Sequence, residues 1–113
     1  MSILKELLKF RSDRDWEQFH KPKDLAISIT LEATELLECF QWKTDEEVER
    51  LINSPKKKEI EEEIADIAMY LNYLCYDLNI DLEKAMKDKL EVNKRKYPVS
   101  KSKGNATKYT ELF

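Results

Sequence analysis

One glycine and three prolines in 113 residues leave this chain few places to break a helix. Those two residue types cost a helix interior most. The stretches between them are rich in Leu, Ile, Glu and Lys, so the sequence predicts an all-α protein. Its length fits one small domain, which hides limited apolar surface unless it associates with copies of itself. No apolar run approaches the length of a membrane span, and the start lacks the pattern of a secretory signal. A net charge of −3 argues against a generic nucleic-acid binder. Cys39 and Cys75 have no metal-ligand spacing and read as small core residues of a reducing cytosol. The expectation is a cytoplasmic protein with neither a nucleic acid nor a membrane as partner.

Five helical segments and a tail follow from the periodicity. An apolar stripe of Ile3, Leu4, Leu7, Leu8 and Phe10 predicts a helix from about Ser2 to Arg14. The loop "DWEQFHKPKD" separates it from a second helix, with Asp24 as N-cap, running to Trp42. Thr44 and Glu47 have capping-box spacing and open a short extra helix to about Ile52. Ser54 as N-cap and Pro55 at the first helical position open the longest helix, to about Leu78. Asp81 caps a fifth that must end before Pro98. The helical domain is thus residues 1–97. Residues 98–113, with the only glycine, form an extended tail.

The second and fourth helices share one device. On a wheel of about 100° per residue, Glu32 lies on the same face as Leu25, Ile29, Leu36 and Cys39. Glu63 likewise lies among Ile60, Ile67, Tyr70 and Leu74. Glu35 and Asp66 follow each acid by three residues, at the stripe's edge. Burying a lone carboxylate costs several kcal/mol unless it is neutralised or coordinated. If the stripes face each other, four carboxylates converge and require protons or a cation. An all-oxygen, anionic site suits Mg²⁺ first and Mn²⁺ second. A di-iron bundle needs two Glu-x-x-His motifs, and this chain has one histidine. The competing reading is that these acids simply face water. That reading is preferred for Glu38, Glu47, Glu49, Glu59 and Glu61, but a matched pair of stripe acids argues against it for the four.

Trp16 and His20 sit in the loop before Pro22, and Trp42 and Tyr70 fall on the acid-bearing sides of their helices. Such aromatics serve as core, interface or a stacking platform for a base. The lone His can be a base, a hydrogen-bond donor or a structural group. Lys89, Asn93 and Lys96 interrupt the stripe of Leu82, Ala85, Met86 and Leu90. Either the lysine stems snorkel, or these residues bind phosphate oxygens. The sequence has no glycine-rich phosphate loop.

The segments "LEATELLECFQW" and "EEEIADIAMYL" resemble the paired ExxE and ExxD motifs of the all-α, MazG-like nucleoside triphosphate pyrophosphohydrolases. "RDWEQFHKPKDL", "FQWKTD", "VNKRKYP" and "KYTEL" resemble the dCTP pyrophosphatase branch in the same order, from about Arg14 to Leu112. The resemblance implies a four-helix-bundle-type fold assembled as homodimer or homotetramer. It implies hydrolysis of a (deoxy)nucleoside triphosphate, dCTP or a related dNTP, to monophosphate and pyrophosphate. It carries metal binding onto Glu32, Glu35, Glu63 and Asp66. It carries substrate contacts onto Trp16, Glu17, Gln18, Phe19, His20, Trp42 and Tyr70, and phosphate contacts onto Lys89 and Asn93. Lys96, Tyr97, Lys108 and Tyr109 are further candidates. Members of that branch can carry a substrate-contacting histidine where this chain has Leu7. In such a reaction Glu35, or else Glu38, would take the proton from water at the stripe's rim, and Lys89 would stabilise departing pyrophosphate. The alternative class is a non-catalytic helical interaction module with ordinary surface acids.

Overall fold

The computed structural model describes residues 3–113, and all regular structure among them is helical. Helix α1 spans Ile3–Asp13; the expected start at Ser2 lies outside the described residues. Asp15 turns the chain at φ 54°, and the Trp16 N–H donates to the Arg11 carbonyl at 3.1 Å. A 3₁₀ turn over Glu17–Phe19 leads into α2, Pro22–Glu38. This helix begins two residues before Asp24 because Pro22 occupies the first helical position, where an N–H has no acceptor anyway. Asp24 instead lies in the first turn, where its charge suits the helix dipole. The C-terminus also differs from expectation. After Glu38 the chain turns, and Trp42 adopts φ 65°, which no helix continues.

Helix α3, Asp45–Ile52, has the full capping box. Glu47 N–H donates to Thr44 Oγ1 and Thr44 N–H to Glu47 Oε1, both at 3.2 Å. Helix α4 spans Lys57–Asp77, two residues later than Ser54 and Pro55 suggested. Those residues form a tight turn in which Ser54 Oγ donates to the Leu51 carbonyl at 2.7 Å. The same oxygen accepts from Lys56 N–H at 3.2 Å. Asn79 at φ 56° ends α4 in a left-handed residue.

The chain forms two compact units that part between Asn79 and Ile80. In the first, α2 and α4 pack along one another and α1 packs on α4. Leu7, Leu25 and Tyr73 form the core, flanked by Leu8, Met69, Tyr70 and Leu74. Cys75 is buried and Cys39 half-buried, both as free thiols. Among the described residues one charged side chain is also buried: Arg11, 4% exposed. It donates to both Asp77 carboxylate oxygens at 2.9 Å, and its guanidinium lies 4.7 Å from the Tyr73 ring centre. Tyr73 Oη in turn donates to the Leu7 carbonyl at 2.7 Å. α1 is thereby tied to α4 by charge, ring and hydrogen bond together.

The second unit holds α5, Leu82–Lys96, and α6, Val99–Ser102. Asp81 caps α5 as expected, accepting from Lys84 N–H at 3.0 Å. The tail expected to be extended from residue 98 instead opens with α6, turns at Gly104 with φ 80° and ends in a 3₁₀ turn over Tyr109–Glu111. It returns to the end of α5. Tyr109 meets Tyr97 edge-on at 5.9 Å, and Lys96 Nζ lies 4.5 Å over the Tyr109 ring.

Candidate metal and nucleotide site

The stripes of α2 and α4 face each other, and the acids inside them meet. One carboxylate oxygen from each of Glu32, Glu63 and Asp66 lies within 4.8 Å of the others. Oε2 of Glu32 and Oε2 of Glu63 are buried without a hydrogen-bond partner. Glu35, one turn beyond Glu32, is exposed at the rim and close enough to raise the pKa of both. Burial pushes the Glu32 carboxyl up to about 7. The neighbouring carboxyls of Glu35 and Glu63, and the charges of Glu35 and Asp66, act in the same direction. Burial also raises Glu63. Acids this close cannot all ionise without a counter-charge. Two buried oxygens without partners, in an all-carboxylate set, fit a hard divalent cation such as Mg²⁺ or Mn²⁺. Glu38, Glu59 and Glu62 line an open depression that Glu35 and Glu63 of the cluster also border.

Asp66 also borders a cavity of about 480 Å³ between α1, the Trp16–His20 loop and α4. Leu7, Phe10, Met69 and Tyr73 give it apolar walls, while Trp16, His20 and Tyr70 add aromatic ones. These rings brace one another. Trp16 meets Phe10 edge-on at 5.6 Å, and His20 lies 6.2 Å from Tyr70 and 5.3 Å from Tyr73. His20 Nδ1 is buried with no partner. Burial, then the Arg11 charge, lower the His20 pKa, so the imidazole is neutral at pH 7. Burial raises the Tyr70 hydroxyl.

The other sequence-derived candidates lie elsewhere. Trp42 is 90% exposed and does not border the cavity. Glu17, Gln18 and Phe19 are exposed, with Gln18 Nε2 donating to the Asp15 carbonyl and carboxylate at 3.0 Å. Lys89 and Asn93 share an open groove on α5 with Leu82, Met86 and Leu90. Lys96 is engaged with Tyr109. Sequence reasoning missed Glu6, Arg11 and Tyr73. Glu6 had little signal, since it is exposed at the edge of the α1 stripe. Arg11 had none, because its partner Asp77 is 66 residues away.

Two packed helices that each present an acid and a second acid three residues later define an all-α domain built around a carboxylate cluster. Residues 27–112 match the MazG-like family, and the chain belongs to that family. It is 44% identical over 105 residues to dCTP pyrophosphatase 1 of Bos taurus, covering 92% of this chain and 62% of that protein. The Homo sapiens protein of the same name is 40% identical over the same coverage. The chain therefore spans less than two thirds of the length of these curated relatives. A crystal structure of a pyrophosphatase from Archaeoglobus fulgidus superposes with a TM-score of 0.80 at 45% identity. That match covers 85% of this chain and 89% of the other.

Proposed function

We propose that the protein hydrolyses a deoxynucleoside triphosphate, dCTP or a close relative, to the monophosphate and pyrophosphate. The observation that carries this reading is the convergence of Glu32, Glu63 and Asp66, with two buried oxygens lacking partners, beside an aromatic cavity that Asp66 also borders. The curated dCTP pyrophosphatases support the choice of substrate. Glu32, Glu35, Glu63 and Asp66 would hold Mg²⁺, with Mn²⁺ as a substitute. When bound, the cation supplies positive charge against the triphosphate oxygens.

In this reading water attacks the α-phosphorus, the bond to the bridging oxygen breaks, and pyrophosphate leaves. Glu35 accepts the water's proton, because it alone of the four stands at the exposed rim. Glu38, exposed and one turn on, is second choice. Trp16 and Tyr70 flank the base and His20 meets its polar edge; Trp42, exposed and outside this cavity, would reach a base only across a contact between copies of the chain. Lys89, Asn93 and Lys96 are assigned to phosphate oxygens. Ile27, Leu31, Leu37 and Ile64 stay exposed on the single chain, which supports a homodimer or homotetramer. No helix of the described residues is long and apolar enough to cross a membrane. Free cysteines suit a cytoplasmic setting. A panel of deoxynucleoside triphosphates with chromatographic product analysis tests the proposal. Turnover of dCTP to dCMP supports it; no turnover, with no stabilisation by Mg²⁺, returns the chain to a non-catalytic interaction module.

A further inference from the structure

The cavity beside the carboxylate cluster has few polar groups free to meet a ligand. The Tyr73 hydroxyl is committed to the Leu7 carbonyl. Asp66 belongs to the carboxylate cluster. The Trp16 indole can only donate. Three groups remain: the Tyr70 hydroxyl, which can donate or accept and so suits either pyrimidine; His20 Nδ1, buried and without a partner; and the carboxylate of Glu6. Glu6 makes no ion pair among the described residues. It is exposed at the edge of the α1 stripe, and with Ile3, Leu7 and Phe10, at helical spacing, it borders the cavity.

We propose that Glu6 is a specificity-determining residue, whose carboxylate accepts a hydrogen bond from the exocyclic amine of a cytosine base held in this cavity, with His20 Nδ1 beside the same polar edge. The proposal rests on the nucleotide reading above and assigns a residue that reading does not use. Aromatic faces hold any base, because every base has a π-face, so Trp16 and Tyr70 cannot distinguish cytosine from uracil. A carboxylate can. It only accepts hydrogen bonds, and cytosine presents an N4 amine where uracil and thymine present O4, another acceptor. A site built to bond a substrate N–H rejects an analogue lacking it far better than an apolar wall rejects a change of size. The ordinary alternative is that Glu6 merely favours the first turn of α1 through the helix dipole. That role affects all substrates alike.

The test is kcat/KM for dCTP and dUTP, which differ in the base edge alone, in wild type, Glu6→Ala and Glu6→Gln. Wild type is expected to favour dCTP. In Glu6→Ala the dCTP/dUTP ratio is expected to fall about ten- to hundredfold, with the loss falling on dCTP. Glu6→Gln keeps the size and adds a donor, so it is expected to raise dUTP relative to dCTP and provides the readout if the alanine variant does not fold. Unchanged ratios in both variants, or a wild type that favours dUTP, overturn the role of Glu6 while leaving triphosphate hydrolysis standing. A wild type that hydrolyses neither nucleotide overturns the underlying reading and this inference with it.

Discussion

Replacing Glu32 by Gln is expected to stabilise the metal-free protein above neutral pH. Gln keeps the shape of the protonated acid and cannot ionise. In the folded protein the Glu32 carboxyl is pushed from 4.5 up to about 7, first by burial and then by its acidic neighbours. A carboxyl whose folded pKa is raised contributes stability that is fully present below 4.5 and is lost as pH rises through about 7. At about 1.36 kcal/mol per pKa unit that interval would be worth roughly 3 kcal/mol. The cluster opens to water through the Glu35 rim, and solvent screening reduces the figure to about 1–2 kcal/mol. Urea unfolding in EDTA, at fixed protein concentration from pH 4 to 8, measures it. The stability advantage of Glu32→Gln over wild type should grow between pH 4.5 and 7 and then level off. Adding Mg²⁺ should stabilise wild type at pH 7.5 and stabilise the variant less, since one anionic ligand is gone. An advantage that does not change with pH, or a variant less stable than wild type at pH 8, would refute the buried-acid argument.

Three further substitutions probe the cavity, its support and the exposed Trp42. Arg11→Met leaves Asp77 without its bidentate partner and should cost about 3 kcal/mol by denaturant unfolding; a loss below about 1 kcal/mol would show that the pair does not tie α1 to α4. Trp16→Ala and Trp42→Ala should each raise KM for dCTP about 5- to 150-fold, from roughly 1–3 kcal/mol of stacking, with kcat less affected. Unchanged kinetics in both would remove the stacking role.

Most of the fold was legible because its signals are local. The Thr44–Glu47 capping box and the Asp81 cap are written in adjacent residues and formed as read. The errors fall where local signals compete. Asp24 is a good N-cap type, but Pro22 supplies a better helix start. Trp42 sits in a segment with helical periodicity, yet the chain turns after Glu38 and Trp42 takes a positive φ. Ser54 spends its hydroxyl on the preceding Leu51 carbonyl rather than on α4. The carboxylate cluster was legible because Glu32 and Glu63 violate the apolar pattern of their own helices; Glu6, exposed at the edge of its stripe, does not. The support beneath the cavity was not. The Arg11–Asp77 and Tyr73–Leu7 contacts each join residues 66 apart, and nothing in either local segment announces its partner.

Hydrolysis in ¹⁸O-labelled water, with the products of dCTP turnover weighed by mass spectrometry, tests the central claim most directly. Attack at the α-phosphorus is expected to place the label in dCMP and leave pyrophosphate unlabelled, with turnover lost in Glu63→Gln although its helical content is retained. Label in pyrophosphate, products of dCDP and phosphate, or undiminished turnover in Glu63→Gln would contradict a pyrophosphohydrolase centred on the α2–α4 carboxylates.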